Sequence, residues 1–199
     1  IVWRTRSKAA MPLLAQIIAS EDDDEMLRYF RAFDFHTDPS KQNVLTALIT
    51  SSEDLKLLYA LKHVDADGYR MTPAVRTKLN SVLEKNKGQL EFVELIALYR
   101  LQNKAPDLLE VALQYPDSAS GREASKVLLE WGRQDLFEKV LISNDKDKTI
   151  ALIKSLPPHI YDPKTMLLME DIFLDSTRDI QIRNRAVRAF AGPWQSENR

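Results

Sequence analysis

Apolar residues along this chain recur with the period of a helix. Ala124, Val127, Leu128 and Trp131 stand at i, i+3, i+4 and i+7, and Leu90, Val93, Ala97, Leu98 and Leu101 keep the same rhythm. Each set forms one stripe of a helix and predicts an amphipathic segment with that stripe inward. The alternation that marks a half-buried strand is nearly absent, and β-branched runs are scarce. The ends of the predicted helices carry recognisable chemistry. Asp38-Pro39, Thr72-Pro73 and Asp162-Pro163 each place a capping oxygen before a proline suited to the first helical position. Ser120 and Glu123 have capping-box spacing. Gly88, Gly132 and Gly192 follow helical stretches where a left-handed cap is expected, and Pro193 is expected to stop the last helix.

These marks give a map of paired helices. First members start near Pro12, Pro39, Pro73, Pro106, Gln134 and Pro163, at intervals of 27, 34, 33, 28 and 29 residues. Second members are expected over about 23–33, 52–63, 89–101, 121–131, 146–155 and 179–191. Residues 1–10 would be the second helix of an earlier pair, and Leu156-Pro157-Pro158-His159 a loop between pairs. A helix pair of this length cannot bury its own apolar face, so each must stack on the next, as in an α-solenoid. The competing architecture is an irregular helical bundle. With no long Pro/Gly/Ser-rich linker, residues 1–199 are read as one array.

The clearest repeat signature runs from Asp179 to Gly192. It contains an acidic loop residue, the pair Ile182-Arg183, small residues at Ala186 and Ala189, large apolar Phe190, and Gly192. This run resembles the second helix of a HEAT repeat. The stretch from Glu123-Ala124 through Leu128 to Gly132 resembles a weaker copy without the arginine. The resemblance implies an all-α, right-handed α-α superhelix of about six helix pairs, with Ile182 and Phe190 in the core and Ala186 at a close helix contact. Trp3-Arg4, Lys8-Ala9-Ala10-Met11-Pro12 and Gly192-Pro193-Trp194 further resemble the helical region of large secreted bacterial (Bacteroidetes-type) multidomain proteins. Those combine a sugar-dehydrogenase-like propeller, HEAT-like repeats and a c-type cytochrome domain. This second resemblance implies a periplasmic or extracellular setting and a haem domain nearby. The haem-attachment motif C-x-x-C-H is absent, so no haem role passes to any residue of this chain.

Charge and composition narrow the functional classes. The chain has 28 Lys+Arg against 29 Asp+Glu, a formal net charge of −1, and no cysteine. The balance argues against a nucleic-acid-binding protein. The missing cysteines exclude disulfides, thiolate metal sites and cysteine nucleophiles. No apolar run approaches a membrane span of about 20 residues. The start at Ile1 and the end at Ser196–Arg199 read as cut ends of a larger protein. His36, His63 and His159 lack metal-ligand spacing and are expected in loops or at the surface. The acidic run Glu21-Asp22-Asp23-Asp24-Glu25 is expected to cap a helix start, where the dipole favours negative charge, rather than bind calcium.

Two candidate contact sets remain. Arg178, Arg183, Arg185 and Arg188 form a basic stripe. In the structural reading, Arg183 reaches acidic loop groups such as Asp175 or Asp179; in the functional reading, the stripe binds an anion. Trp131 fits the core stripe of its helix, whereas Trp3 and Trp194 are read as contacts to neighbouring segments. Neither G-x-S-x-G, G-x-G-x-x-G nor a P-loop is present, and nothing pairs two carboxylates for acid–base work. The expectation is a non-catalytic protein-interaction or domain-orienting scaffold that needs no cofactor. Its partners would be proteins or neighbouring domains, not nucleic acid. The first alternative is a spacer or docking segment of a secreted haem-containing electron-transfer or sugar-dehydrogenase-like protein. A DNA-glycosylase-type enzyme of HEAT-like fold ranks below both, because its groove would need to be basic.

Overall fold

Short capped segments with one apolar stripe fold as helices, and among the described residues every regular element is helical. The computed structural model describes the backbone of residues 22–65, 72–143, 145–157 and 163–196, and side chains up to Ala189 except that of Asp54. The helices are α1 (Asp23–Asp34), α2 (Ser40–Ser51), α3 (Asp54–His63), α4 (Pro73–Lys85), α5 (Leu90–Leu98), α6 (Ala105–Gln114), α7 (Ala119–Glu130), α8 (Gln134–Leu141), α9 (Lys146–Ser155), α10 (Pro163–Leu174) and α11 (Ile180–Ser196). A 3-10 turn, Gln102–Lys104, leads into α6. The helix expected from Pro12 and the segment 1–10 lie outside the described residues.

The caps explain the boundaries. The Asp22 carboxylate accepts the Glu25 N–H at 3.0 Å, and the Thr72 hydroxyl accepts the Val75 N–H at 3.3 Å with Pro73 at the head of α4. Asp38 serves α2 differently from the expectation: its carboxylate takes the Ser40 N–H at 2.9 Å, and the helix starts after Pro39 rather than with it. The cap of α7 is Ser118, not Ser120. The Tyr115 carbonyl accepts both the N–H and the hydroxyl of Ser118, and this holds Ser118 extended so that its oxygen can take the Gly121 N–H at 3.1 Å. Ser120 is buried behind it.

At the C-terminal ends Gly132 has φ +68°. Its N–H bonds Leu129 O, and the Arg133 N–H bonds Leu128 O, both at 2.9 Å, which is a Schellman motif. The same motif closes α5, but with Arg100 in the left-handed position at φ 48°. Helix α5 therefore ends at Leu98 rather than 101. Its buried residues are Phe92, Val93, Leu95 and Ile96, while Leu98 is exposed. Glu91 and Glu94, three residues apart, mark the outer side of α5, and the stripe of Leu90, Ala97 and Leu98 runs beside them, so apolar spacing alone pointed to the wrong face. Trp131 is likewise half-buried at the end of α7 rather than in its core stripe. Helix α11 runs on to Ser196, past Gly192 and Pro193. A proline forfeits its own helical hydrogen bond, a loss that falls here in the last turns of the helix.

The chain divides into two units, Ile1–Asn86 and Lys87–Arg199. In the first, α1 packs on α3, α2 on both α3 and α4, and α3 on α4. Phe30 and Phe33 are fully buried there, and the Phe30 ring stacks 5.7 Å from Tyr59 and lies 5.3 Å from His63. Each such ring contributes roughly 1.5–3 kcal/mol by leaving water. In the second unit, α5 packs on α7, α9 on both α6 and α7, and α11 on α9, while α8 packs on α10. Helices α6 and α7 pair, as do α8 with α9 and α10 with α11. Small polar residues let α7 and α9 approach: the buried Ser125 and Ser155 hydroxyls meet at 2.7 Å, and Ser155 also donates to Leu152 O at 2.8 Å. Ala186 on α11 is fully buried, as a close helix contact requires.

Candidate interaction surface

The arginine stripe divides into two functions. Arg178 precedes α11 and ties three elements together. Its Nε donates to Asp175 Oδ2 at 3.2 Å, and its Nη1 donates to the carbonyl of Leu141, the last residue of α8. Arg183 does not reach the side chains of Asp175 or Asp179; its Nε donates to Phe173 O at 3.0 Å, in the final turn of α10. The reason lies in competition for those carboxylates. Asp175 is occupied by the Thr177 hydroxyl at 2.6 Å, the Thr177 N–H and Arg178, and Asp179 by Lys146 at 2.8 Å and the Gln181 N–H. These contacts lower both carboxyl pKa values: for Asp175 chiefly through Thr177, for Asp179 chiefly through Lys146. Lys146 begins α9, so its bond to Asp179 ties the N-terminal end of α9 to the α10–α11 loop.

Arg185 and Arg188 behave otherwise. Among the described residues neither makes a hydrogen bond or ion pair. Both line a recess of about 200 Å³ between α9 and α11, where Lys154 joins them from the last turn of α9. Ile153, Leu156 and Pro157 supply apolar wall to the same recess. Lys154 also pairs with Asp117 at 3.1 Å. Sequence reading missed Lys146 and Lys154, since a lysine near either end of a helix carries no mark of which loop it will meet.

The remaining candidates resolve individually. Asp22 to Glu25 form the cap and first turn of α1, and the Tyr59 hydroxyl donates to Asp23 at 2.9 Å. His36 sits in a loop but is buried, 4% exposed, with Nε2 lacking a hydrogen-bond partner. His63 packs against Phe30 and bonds Tyr59 O at 2.8 Å through Nδ1. Both histidines are thus packed rather than superficial. His159, Trp3 and the Trp194 side chain lie outside the described residues. No group of three or more His, Cys, Asp or Glu among the described residues could hold a metal ion, and no described helix is long and apolar enough to cross a membrane. On α10, Leu167 and Leu174 stand two turns apart, 59% and 63% exposed.

Comparison of the chain with protein-family models, curated proteins and solved structures finds no match.

Proposed function

We propose that this chain is a non-catalytic module of stacked helix pairs, a HEAT-like right-handed solenoid of about six pairs, that binds a protein partner or orients neighbouring domains. The observation that carries this reading is the order of packing in the second unit: α7 lies on α5, α9 on both α6 and α7, α10 on α8, and α11 on α9, so each pair rests on the pair before it. Such stacking builds a continuous face to which each pair adds area. The ion pairs support the same reading, since Lys146–Asp179 and Lys154–Asp117 both join different pairs.

Two measurements test it. In a solenoid each pair contacts only its neighbours, so ending the chain after Pro157 should leave the preceding pairs folded and helical with part of their stability. Global unfolding of that shortened chain would indicate an interdigitated bundle. For the partner, photo-crosslinking groups at Arg122, Asp147 and Asn184, all exposed on second helices of one unit, should trap the same protein or neighbouring domain in the cell of origin. Absence of any crosslink from all three positions would refute the binding role.

A further inference from the structure

We propose that Arg185, Arg188 and Lys154 form a receptor for an acidic, partly aliphatic segment of a protein partner. This rests on the reading of the chain as an interaction module and assigns that module a contact. Four observations carry it. First, three cations from two helices line one recess, although the whole chain has a net charge of −1. Second, Arg185 and Arg188, three residues apart on α11, have no acidic partner among the described residues. Like charges at this spacing repel. Nearby Arg178 and Lys146, by contrast, are each held by an aspartate. Third, Lys154 is only half answered, its single carboxylate Asp117 being three-quarters exposed. Fourth, the recess has carbon walls at Ile153, Leu156 and Pro157.

These features choose among occupants. At about 200 Å³ the recess is smaller than the roughly 300–1,000 Å³ of small-molecule sites. It suits one or two side chains delivered from outside. A bare inorganic anion would leave the apolar walls wet, whereas an aspartate or glutamate beside a leucine or valine satisfies both walls and rim. Guanidinium groups offer carboxylates two parallel hydrogen bonds, and an anchoring arginine at the centre of a contact commonly carries much of its energy.

The test is a methyl and amide NMR titration of the whole chain with an acetylated Glu-Leu-Asp-Leu-Glu-Leu peptide, its Lys-Leu counterpart, inorganic phosphate, and vesicles containing phosphatidylserine. The acidic peptide should shift Ile153, Leu156 and Ala189, and the Lys-Leu peptide should not. Arg185→Gln with Arg188→Gln should weaken the acidic peptide about tenfold or more, with an unchanged circular dichroism melt. Should the pair lower the melt, Arg188→Glu alone, at an exposed position, must still abolish the shifts. Binding that survives both variants, shifts confined to other helices, or phosphate or vesicles matching the peptide's effect would overturn the proposal. Crosslinking at Arg122, Asp147 and Asn184 reads the broader binding role separately. Crosslinks that persist without peptide binding sink this contact alone.

Discussion

Gly121→Ala adds one carbon to the first turn of α7. On an open helix the change stabilises by roughly 0.5–1 kcal/mol, because alanine loses less backbone freedom on folding. Here the new Cβ would lie 2.0 Å from the Tyr115 carbonyl oxygen, 2.7 Å from its carbon and 3.3 Å from Pro116 Cα. All three are main-chain atoms, so no rotamer change relieves the overlap. Non-bonded heavy atoms settle at about 3.5–4.0 Å, and the corner between α6 and α7 must open by about 1 Å or more to restore that spacing. Opening it pulls the Tyr115 carbonyl from Ser118, which donates to it at 3.0 Å through N–H and 2.8 Å through its hydroxyl. The same hydroxyl caps Gly121, so the cap is lost with the corner. Backbone overpacking at the upper end costs about 3 kcal/mol, and the cap about 1 kcal/mol. Alanine's gain offsets about 1 kcal/mol. The net loss is about 3 kcal/mol, or roughly 6–12 °C in Tm for a chain of this size. Thermal and urea melts followed at 222 nm measure it. Gly132→Ala is the control: its Cβ would meet only Gln134 Oε1, at an ordinary contact distance of 3.8 Å, and only the backbone at φ +68° is strained, for about 1 kcal/mol. A Gly121→Ala protein as stable as the wild type, or one less affected than Gly132→Ala, would refute the corner geometry.

Arg178→Lys should cost about 1–2 kcal/mol, since a lysine cannot reach Asp175 and Leu141 O together. Arg183→Lys, which gives up one exposed bond to Phe173 O, should cost less than that, and melts of the two variants side by side check the order. Ala186→Asp should cost several kcal/mol, beyond the usual ~0.5–3 kcal/mol, by placing a charge at a fully buried helix contact; an unchanged melt would mean the α11 register is wrong. The lowered pKa values of Asp175 and Asp179 mean that their stabilising contribution is present above the ordinary aspartate pKa, about 3.9. It is lost as pH falls through the lowered folded values. Melts from pH 6 downward should therefore show wild type losing more stability below about pH 4 than Asp179→Asn does.

The second helices expected at 23–33, 52–63 and 146–155 are found at Asp23–Asp34, Asp54–His63 and Lys146–Ser155. Such agreement has a local cause: a cap is a contact between residues two to four apart, so the sequence contains both partners. Where the reading slipped, the deciding contact was different in kind. The start of α7 moved from Ser120 to Ser118 because a carbonyl of the preceding corner holds Ser118, and the inner face of α5 is the one opposite Glu91 and Glu94, which apolar spacing by itself does not mark. At Arg100 the left-handed residue is not a glycine, so no composition signal marked the end of the helix.

Charge was the least legible feature, and the arginine stripe shows why. In the sequence Arg178, Arg183, Arg185 and Arg188 differ only in spacing, and spacing on one helix says nothing about which carboxylates the other helices bring. The nearest acids, Asp175 and Asp179, looked like partners for Arg183. Thr177 and Arg178 take the first, and Lys146, distant in sequence by 33 residues, takes the second. An arginine displaced from local acids then finds a backbone carbonyl or stays open. Arg183 does the former at Phe173 O, and Arg185 and Arg188 do the latter beside Lys154. The same competition that secures the loops therefore leaves the open cations together in one recess, and only the packing of α9 on α11 could reveal where they gather.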